Sequence, residues 1–250
     1  MSADLRGGAG RIVLPEIDST NAEGFRRAAT LDRPAWILAG LQTAGRGRRA
    51  RPWVSPKGNF HATLVLKPEE PPETVALRSF AAALALRDAC VALTDLAEGF
   101  TLKWPNDVLL NGGKMAGILL ESQGLNTPDA VLCIGIGVNL IAAPDPTQVE
   151  PGAVPPVSLL DETGLRVTPE AFLDALAPAH EAWETLFKAE GFAPLRHAWL
   201  AHAARLGQVI RARTGSEIRE GTFETIDQQG NLILQTAQGR LAIPAAEVFF

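Results

Sequence analysis

The sequence predicts a domain built on a central β-sheet with helices packed against it, followed by a small all-β module. Three observations carry this reading. Short apolar runs separated by Pro, Asn and Gly crowd residues 101–139, as in a meander of adjacent strands. Longer stretches with apolar residues near helical spacing flank that block on both sides. From Gly207 the texture changes to short β-like segments punctuated by Gly215, Gly230 and Gly239.

In chain order, Ile12–Leu14 begins the first strand. Thr20-Asn21-Ala22-Glu23 then has the Thr-x-x-Glu spacing in which hydroxyl and carboxylate reciprocally cap a helix start, and predicts a helix to Ala29. Ala35–Leu41 and Phe60–Leu66 read as strands. After Pro71-Pro72, Glu73–Leu96 places Leu77, Phe80, Ala81, Leu84 and Val91 on one broad helical face, interrupted by Arg78, Arg87 and Asp88. Thr101–Trp104, Val108–Leu110, Met115–Leu120 and Val131–Asn139 form the meander. Residues 142–157 are proline-rich and irregular. Thr168-Pro169-Glu170 starts a further helix with proline at its first position, where a missing N–H costs nothing. That helix is expected to reach Leu186, and another spans Pro194–Ala204. Val209–Arg213, Thr222–Ile226, Leu232–Gln235 and Leu241–Ile243 make the terminal module, which is too small to hold much core and should pack on the larger domain. The expected division is 1–204 and 205–250.

The chain has 250 residues, 46% hydrophobic and 20% charged, the balance of a soluble globular protein rather than a disordered one. Its formal net charge of −5 argues against general nucleic-acid affinity, which relies on a surplus of Lys and Arg across a face. Cys90 and Cys133 are far apart in apolar surroundings, as expected of buried thiols in a reducing cytosol. Met1–Gly10 has neither a basic start nor an apolar run, and no apolar stretch approaches the roughly 18 residues a spanning helix needs. A cytoplasmic location without membrane contact is the expectation.

Against that acidic background, Gly45-Arg46-Gly47-Arg48-Arg49-Ala50-Arg51-Pro52-Trp53 puts four guanidinium groups into one loop between strands. Glycine lets backbone approach a ligand closely, and Arg supplies planar donors suited to phosphate or carboxylate. The loop is therefore a candidate anion trap, with a solvated basic turn as the alternative.

Further motifs follow: Lys103-Trp104-Pro105-Asn106-Asp107, Gly112-Gly113-Lys114-Met115-Ala116-Gly117-Ile118-Leu119 and Gly135-Ile136-Gly137-Val138-Asn139. With Ser19-Thr20-Asn21 before the loop and Ser158-Leu159-Leu160 after it, these blocks resemble, in order and spacing, the biotin protein ligases, which attach biotin to a lysine of carboxylase carrier domains. The resemblance runs from about residue 12 to the C-terminus. It implies an α+β catalytic domain of class II synthetase-like type with a central mixed sheet, plus a small C-terminal β-barrel. With ten residues before its first strand, the chain resembles the monofunctional type, without an N-terminal DNA-binding domain. Two positions depart from the family pattern. Ala50 stands where the loop usually has glycine, and Phe60-His61 replaces the usual Leu-Tyr in a chain with no tyrosine.

The implied chemistry begins with attack of the biotin carboxylate on the α-phosphorus of ATP, giving biotinyl-5′-AMP and pyrophosphate. Negative charge must be stabilised throughout, so cations and backbone donors are the indispensable parts. By resemblance, Lys114 is the electrostatic catalyst, Asp107 aligns or deprotonates the incoming carrier lysine, and Arg48 retains the reactive intermediate. The biotin site is assigned to Ser19, Thr20, Asn21, Gln42, Arg46, Arg48 and Gly117. The ATP and adenylate site is assigned to Arg46, Arg48, Arg49, Arg51, Trp53, Lys103, Asn106, Lys114 and Asn139. Trp53 and Trp104 read as core or pocket wall. Mg²⁺ is expected to accompany ATP, with no protein ligand identified. The partner is a biotin carboxyl carrier domain, no DNA partner is expected, and exposed strands leave a homodimer open.

Two other activities share parts of this pattern. A lipoate or octanoate ligase or transferase shares the catalytic architecture, but the arginine loop and terminal module favour biotin. A nucleotide-binding or nucleic-acid-binding module would use the loop merely to hold phosphates, which net acidity and the small basic span disfavour. The chain lacks a Gly-x-x-x-x-Gly-Lys-Ser/Thr phosphate loop, a His-Glu-x-x-His and a Gly-x-Ser-x-Gly, and its four histidines are not grouped like metal ligands.

Overall fold

A computed structural model describes residues 8–145, 147, 149–150, 152–215, 217–244 and 246–250. Seven strands build the central sheet: β1 (Gly10–Leu14), β2 (Ala35–Ala39), β3 (Phe60–Leu66), β4 (Phe100–Lys103), β5 (Asp107–Leu110), β6 (Gly113–Gln123) and β7 (Val131–Val138). Their order is β1-β2-β3-β7-β6-β5-β4. The β1/β2 pair is parallel and every other pair antiparallel, so the sheet is mixed, and β4 to β7 form the expected meander.

Helices cover both faces, which explains why β2 reads as an unbroken apolar run, Ala-Trp-Ile-Leu-Ala, rather than an alternation. Trp36 and Leu38 enter the main core with Phe60, Leu84, Phe172 and Trp199. Ile37 joins Val65 and Cys133 in a smaller cluster against Phe25 and Ala28. That second face belongs to α1 (Thr20–Arg27).

Two helices differ from the sequence expectation. The cap of α1 is Ser19, whose Oγ accepts from the Ala22 N–H, and not Thr20. Thr20 is drawn away because its N–H and hydroxyl both reach Gln42 Oε1, at 2.8 and 3.0 Å, and Glu23 is occupied by Arg26 and Arg27. The single helix expected over 73–96 is two, α2 (Pro72–Ala76) and α3 (Arg78–Thr94), divided at Leu77 where i→i+3 bonds (Leu77 N–H to Thr74 O, Phe80 N–H to Leu77 O) replace the regular pattern. Arg78 and Arg87 are buried within the helical layer. Arg78 pairs with Glu70 and Glu184, while Arg87 donates to the carbonyls of Ala97 and Phe100.

Three helices follow the proline-rich segment: α4 (Leu159–Thr163), α5 (Pro169–Glu190) and α6 (Phe192–Ala201). Thr168 caps α5 through its side chain and Pro169 occupies the first position, as its sequence predicts.

The terminal module is an antiparallel five-stranded sheet of β8 (Val209–Thr214), β9 (Glu217–Ile226), β10 (Leu232–Thr236), β11 (Gly239–Ile243) and β12 (Glu247–Phe249), ordered β11-β10-β9-β8-β12. Among the described residues its edge strands β11 and β12 do not pair with each other, so the expected barrel is an open sheet here. It packs on the larger unit as anticipated. Ile210, Phe223 and Leu232 belong to the main core, and Trp104 Nε1 donates to Gly230 O at 3.1 Å. Cys90 and Cys133 are buried free thiols. Among the described residues, no helix is long and apolar enough to cross a membrane.

Candidate active site

The arginine loop folds over the α1 face of the sheet, tied across its base by Trp53 N–H to Gly45 O (2.9 Å) and across its tip by Gly47 N–H to Arg51 O (2.8 Å). Arg49 and Ala50 both take left-handed conformations, with φ of 58° and 56°. The family's usual glycine at position 50 would enter that region without the cost a Cβ imposes.

Beneath the loop lies a cavity of about 640 Å³, and every residue assigned to the site by sequence lines it, from Ser19 to Asn139. The loop arginines and Lys114 therefore share one pocket. Glycines clear its floor. Gly117 on β6 pairs in register with Gly137 on β7, and the Trp53 indole lies flat against both. A Cβ built on Gly137 would sit 2.5 Å from Trp53 Cε2 and 2.6 Å from its Nε1.

Lys114 reaches this floor through a local irregularity. Residues three apart on a strand normally face opposite sides of a sheet. A register shift between Val108 and Leu109 pairs Val108 with Ala116 but Leu109 with Lys114, so β6 carries one extra residue. Lys114 thereby comes to the face of Gly117, whose built Cβ would lie 3.6 Å from Lys114 Cε.

Asp107, at the start of β5, holds the charges together. Its carboxylate lies 2.7 Å from Lys114 Nζ and 3.6 Å from Lys103 Nζ. Burial pushes the Asp107 carboxyl upward, but Lys114, Lys103 and Arg48 outweigh it and hold it below the usual range. Burial lowers Lys103 against the opposing pull of Asp107, and the Phe250 ring stands 5.6 Å from its Nζ. Burial lowers Arg48 as well. Three cations around one carboxylate leave net positive charge in a half-enclosed site, which suits polyanions.

The arginines divide their work. Arg46 is paired with Glu121 on β6, its Nη2 3.0 Å from Oε2. Arg48 Nη1 donates to Ala246 O at 3.2 Å. Arg49 and Arg51 pair with Glu247 of β12, and Arg51 also with Glu150 at 3.0 Å. Arg213 contacts the same two carboxylates. The mutual repulsion of four clustered guanidinium groups is thus offset by acidic residues from elsewhere in the chain, none of which the motifs had indicated.

The polar end of the pocket is a hydrogen-bonded chain. Gln42 Oε1 accepts from Thr20, Gln42 Nε2 donates to Ser55 Oγ at 3.1 Å, and Thr63 Oγ1 lies 2.8 Å from Thr20 Oγ1 and 2.6 Å from Asn21 Oδ1. Asn106 and Asn139 line the cavity while their amides brace the framework, donating to Ile118 O and Val157 O. Trp104 is buried and stays outside the cavity lining. So does His61, whose Nε2 lies 3.3 Å from Pro56 O and whose pKa burial pushes down to about 4.

Comparison with known proteins follows the same lines. Residues 13–139 match the biotin/lipoate A/B protein ligase family, and residues 206–250 match the biotin protein ligase C-terminal domain. The chain is 56% identical over 238 residues to the biotin acetyl-CoA-carboxylase ligase of Paracoccus denitrificans, covering 95% of this chain and 99% of that protein. It is 32% identical over 247 residues to the corresponding ligase of Mycobacterium tuberculosis, covering 94% of this chain and 87% of that one. The fold is similar to that of the Aquifex aeolicus biotin protein ligase in complex with biotin and ATP, with a TM-score of 0.82 at 24% identity over 95% and 97% of the two chains.

Proposed function

The chain belongs to the biotin protein ligases of the biotin/lipoate A/B protein ligase family, and on that premise we propose that it activates biotin with ATP and transfers it to a carrier lysine. The observation that carries this reading is the shared cavity of the arginine loop and Lys114, with Asp107 between Lys114 and Lys103. Biotin's carboxylate oxygen attacks the α-phosphorus and pyrophosphate leaves with its bonding electrons. The ε-amine of a biotin carboxyl carrier lysine then attacks the mixed anhydride, expelling AMP and losing a proton. The match over residues 206–250 to the biotin ligase C-terminal domain favours biotin over lipoate or octanoate.

Residues 1–204 and 205–250 are taken as the catalytic and terminal units of a cytoplasmic enzyme. Ser19, Thr20, Asn21 and Gln42 supply the polar end that suits biotin's cyclic urea, with Arg46 and Gly117 on the walls. Arg48, Arg49, Arg51, Lys103, Asn106, Lys114, Asn139 and the Trp53 ring surround the nucleotide. Phosphate must compete with Glu247 for Arg49 and Arg51, and Glu247 keeps Arg213 as a partner when it yields. Asp107, held below the usual carboxylate range, is a poor base and a good acceptor, so we assign it to aligning the carrier amine rather than deprotonating it. Among the described residues no three His, Cys, Asp or Glu side chains converge on one point. Mg²⁺ would accompany ATP, where it would neutralise phosphate charge.

The decisive experiment is intact-mass spectrometry of an apo-carrier domain incubated with the protein, ATP, Mg²⁺ and biotin, omitting each in turn. The expected result is a gain of one biotinyl group that requires all of them. Acyl-AMP formed with lipoate and not with biotin would reverse the assignment.

Trp53 gives a separate test of the pocket. Real Cβ atoms do not approach within 3.0 Å of such neighbours, so Gly137→Ala must push the indole off the floor. Its Nε1 has no hydrogen-bond partner among the described residues, so the ring leaves without breaking one. Steady-state kinetics should show KM for biotin or ATP raised about tenfold, equivalent to ~1.4 kcal/mol of lost binding. Unchanged values for both would remove Trp53 from the ligand wall.

A further inference from the structure

Glu121 matches none of the site motifs, yet it joins the arginine loop to the polar end of the pocket. From Gly117, strand alternation places Leu119 and Glu121 on the pocket face of β6. Glu121 Oε2 accepts from Asn21 Nδ2 at 2.8 Å and from Arg46 Nη2 at 3.0 Å, while Oε1 accepts from Arg46 Nε at 3.2 Å.

These contacts have a direction. A carboxylate paired with a guanidinium only accepts, so Asn21 must present its NH₂ to Glu121 and its carbonyl oxygen to the other side. Asn21 Oδ1 then takes the single proton of the Thr63 hydroxyl, 2.6 Å away. Thr63 Oγ1 then offers Thr20 only a lone pair, so the single Thr20 hydroxyl proton is shared between Thr63 Oγ1 at 2.8 Å and Gln42 Oε1 at 3.0 Å. Thr20's N–H already reaches Gln42 Oε1, which orients Gln42 Nε2 toward Ser55. One charged group at the end of the chain therefore fixes which atoms of Asn21 and Thr63 donate and which accept. Space for this arrangement is reserved by Gly135, where a Cβ would lie 2.4 Å from Asn21 Oδ1. The same carboxylate engages Arg46 through two donors, so that guanidinium acts as a fixed wall rather than a free charge.

We propose that Glu121 is a positioning residue that sets the donor and acceptor polarity of the biotin site through Asn21 and holds Arg46 in the wall of that site. The proposal rests on the biotin ligase reading above. A cyclic urea offers paired N–H donors and a carbonyl acceptor, so its affinity depends on that polarity more than on the amount of polar surface.

The test is biotin-dependent pyrophosphate release by the full chain carrying Glu121→Ala, Glu121→Gln, Asn21→Ala, or Glu121→Ala with Asn21→Ala, alongside biotin titration calorimetry and Tm. Glu121→Ala should raise KM and Kd for biotin tenfold or more while KM for ATP stays within about twofold, since the defect lies at the urea end. Glu121→Gln, whose carbonyl can still accept from Asn21 but whose charge is gone, should fall between Glu121→Ala and the parent. The double variant should be no worse for biotin than the more affected single variant, because both remove one linkage. Biotin constants unchanged in Glu121→Ala, or KM for biotin and ATP rising together with a fall in Tm, would overturn the proposal. If Glu121→Ala does not fold, full biotin affinity in Glu121→Gln would overturn it equally. Failure of the parent protein to form biotinyl-AMP would instead sink the ligase reading, and this inference with it.

Discussion

Lys114→Ala is expected to slow biotinyl-AMP formation by about 10² to 10³, the scale for removing one preorganised donor from a developing oxyanion. The size of the effect follows from where the ammonium sits. Its side chain is one-third exposed and opens to the cavity, and Asp107 fixes it at 2.7 Å. A cation held in place before reaction stabilises phosphoryl charge without reorganising, which is why its loss should appear in kcat more than in KM. Stability should change little, because Asp107 keeps Lys103 as a partner and Lys114 contributes no buried apolar core. Lys114→Arg should restore only part of the rate, since a planar fork cannot place its charge where a compact ammonium does. Single-turnover adenylation with radiolabelled ATP checks this, and turnover equal to the parent would remove Lys114 from the chemistry.

The placement of much of the candidate site was legible because its residues lie in short contiguous motifs. Lys114, Asp107 and the arginine loop all line one cavity, as the motifs implied. The strands of the meander were readable from Pro, Asn and Gly between apolar runs, and Thr168-Pro169 marked the start of α5 correctly. What stayed hidden depended on long-range pairing. Simple alternation from Lys114 puts Gly117 and Glu121 on the opposite face of β6, and only the extra residue before Ala116 brings all three together. No local pattern announces that bulge. Glu247 lies on a three-residue strand with too little apolar patterning to read, yet it is the partner of Arg49 and Arg51. Ser19 displaced Thr20 as the cap of α1 for the same reason: Gln42 and Thr63, distant in sequence, compete for the Thr20 hydroxyl.

Arg48→Gly should leave adenylate formation within about tenfold of the parent while releasing biotinyl-AMP into solution, so that lysines of bystander proteins become biotinylated. Arg48 stands apart from the other three loop arginines, because among the described residues no carboxylate pairs with its guanidinium. It donates instead to the Ala246 carbonyl at 3.2 Å and feels Asp107 across the cavity. Arg48 thus bridges the loop to the terminal sheet directly over the pocket, and glycine removes both the bridge and the charge facing the adenylate. Hydrogen bonds to charged groups contribute about 1.5–3 kcal/mol, so adenylate dissociation should accelerate by roughly 10- to 100-fold. Arg49 and Arg51 remain fastened to Glu247, so the loop should stay folded and the effect should be one of retention, not collapse. Gel filtration of enzyme loaded with labelled adenylate measures release directly, and biotin blotting of added serum albumin measures lost selectivity. Arg48→Lys separates the two contributions: restored charge without the bridge should leave release fast if the contact to Ala246 is what closes the site. Labelling still confined to the carrier lysine in Arg48→Gly would show that retention lies elsewhere in the loop.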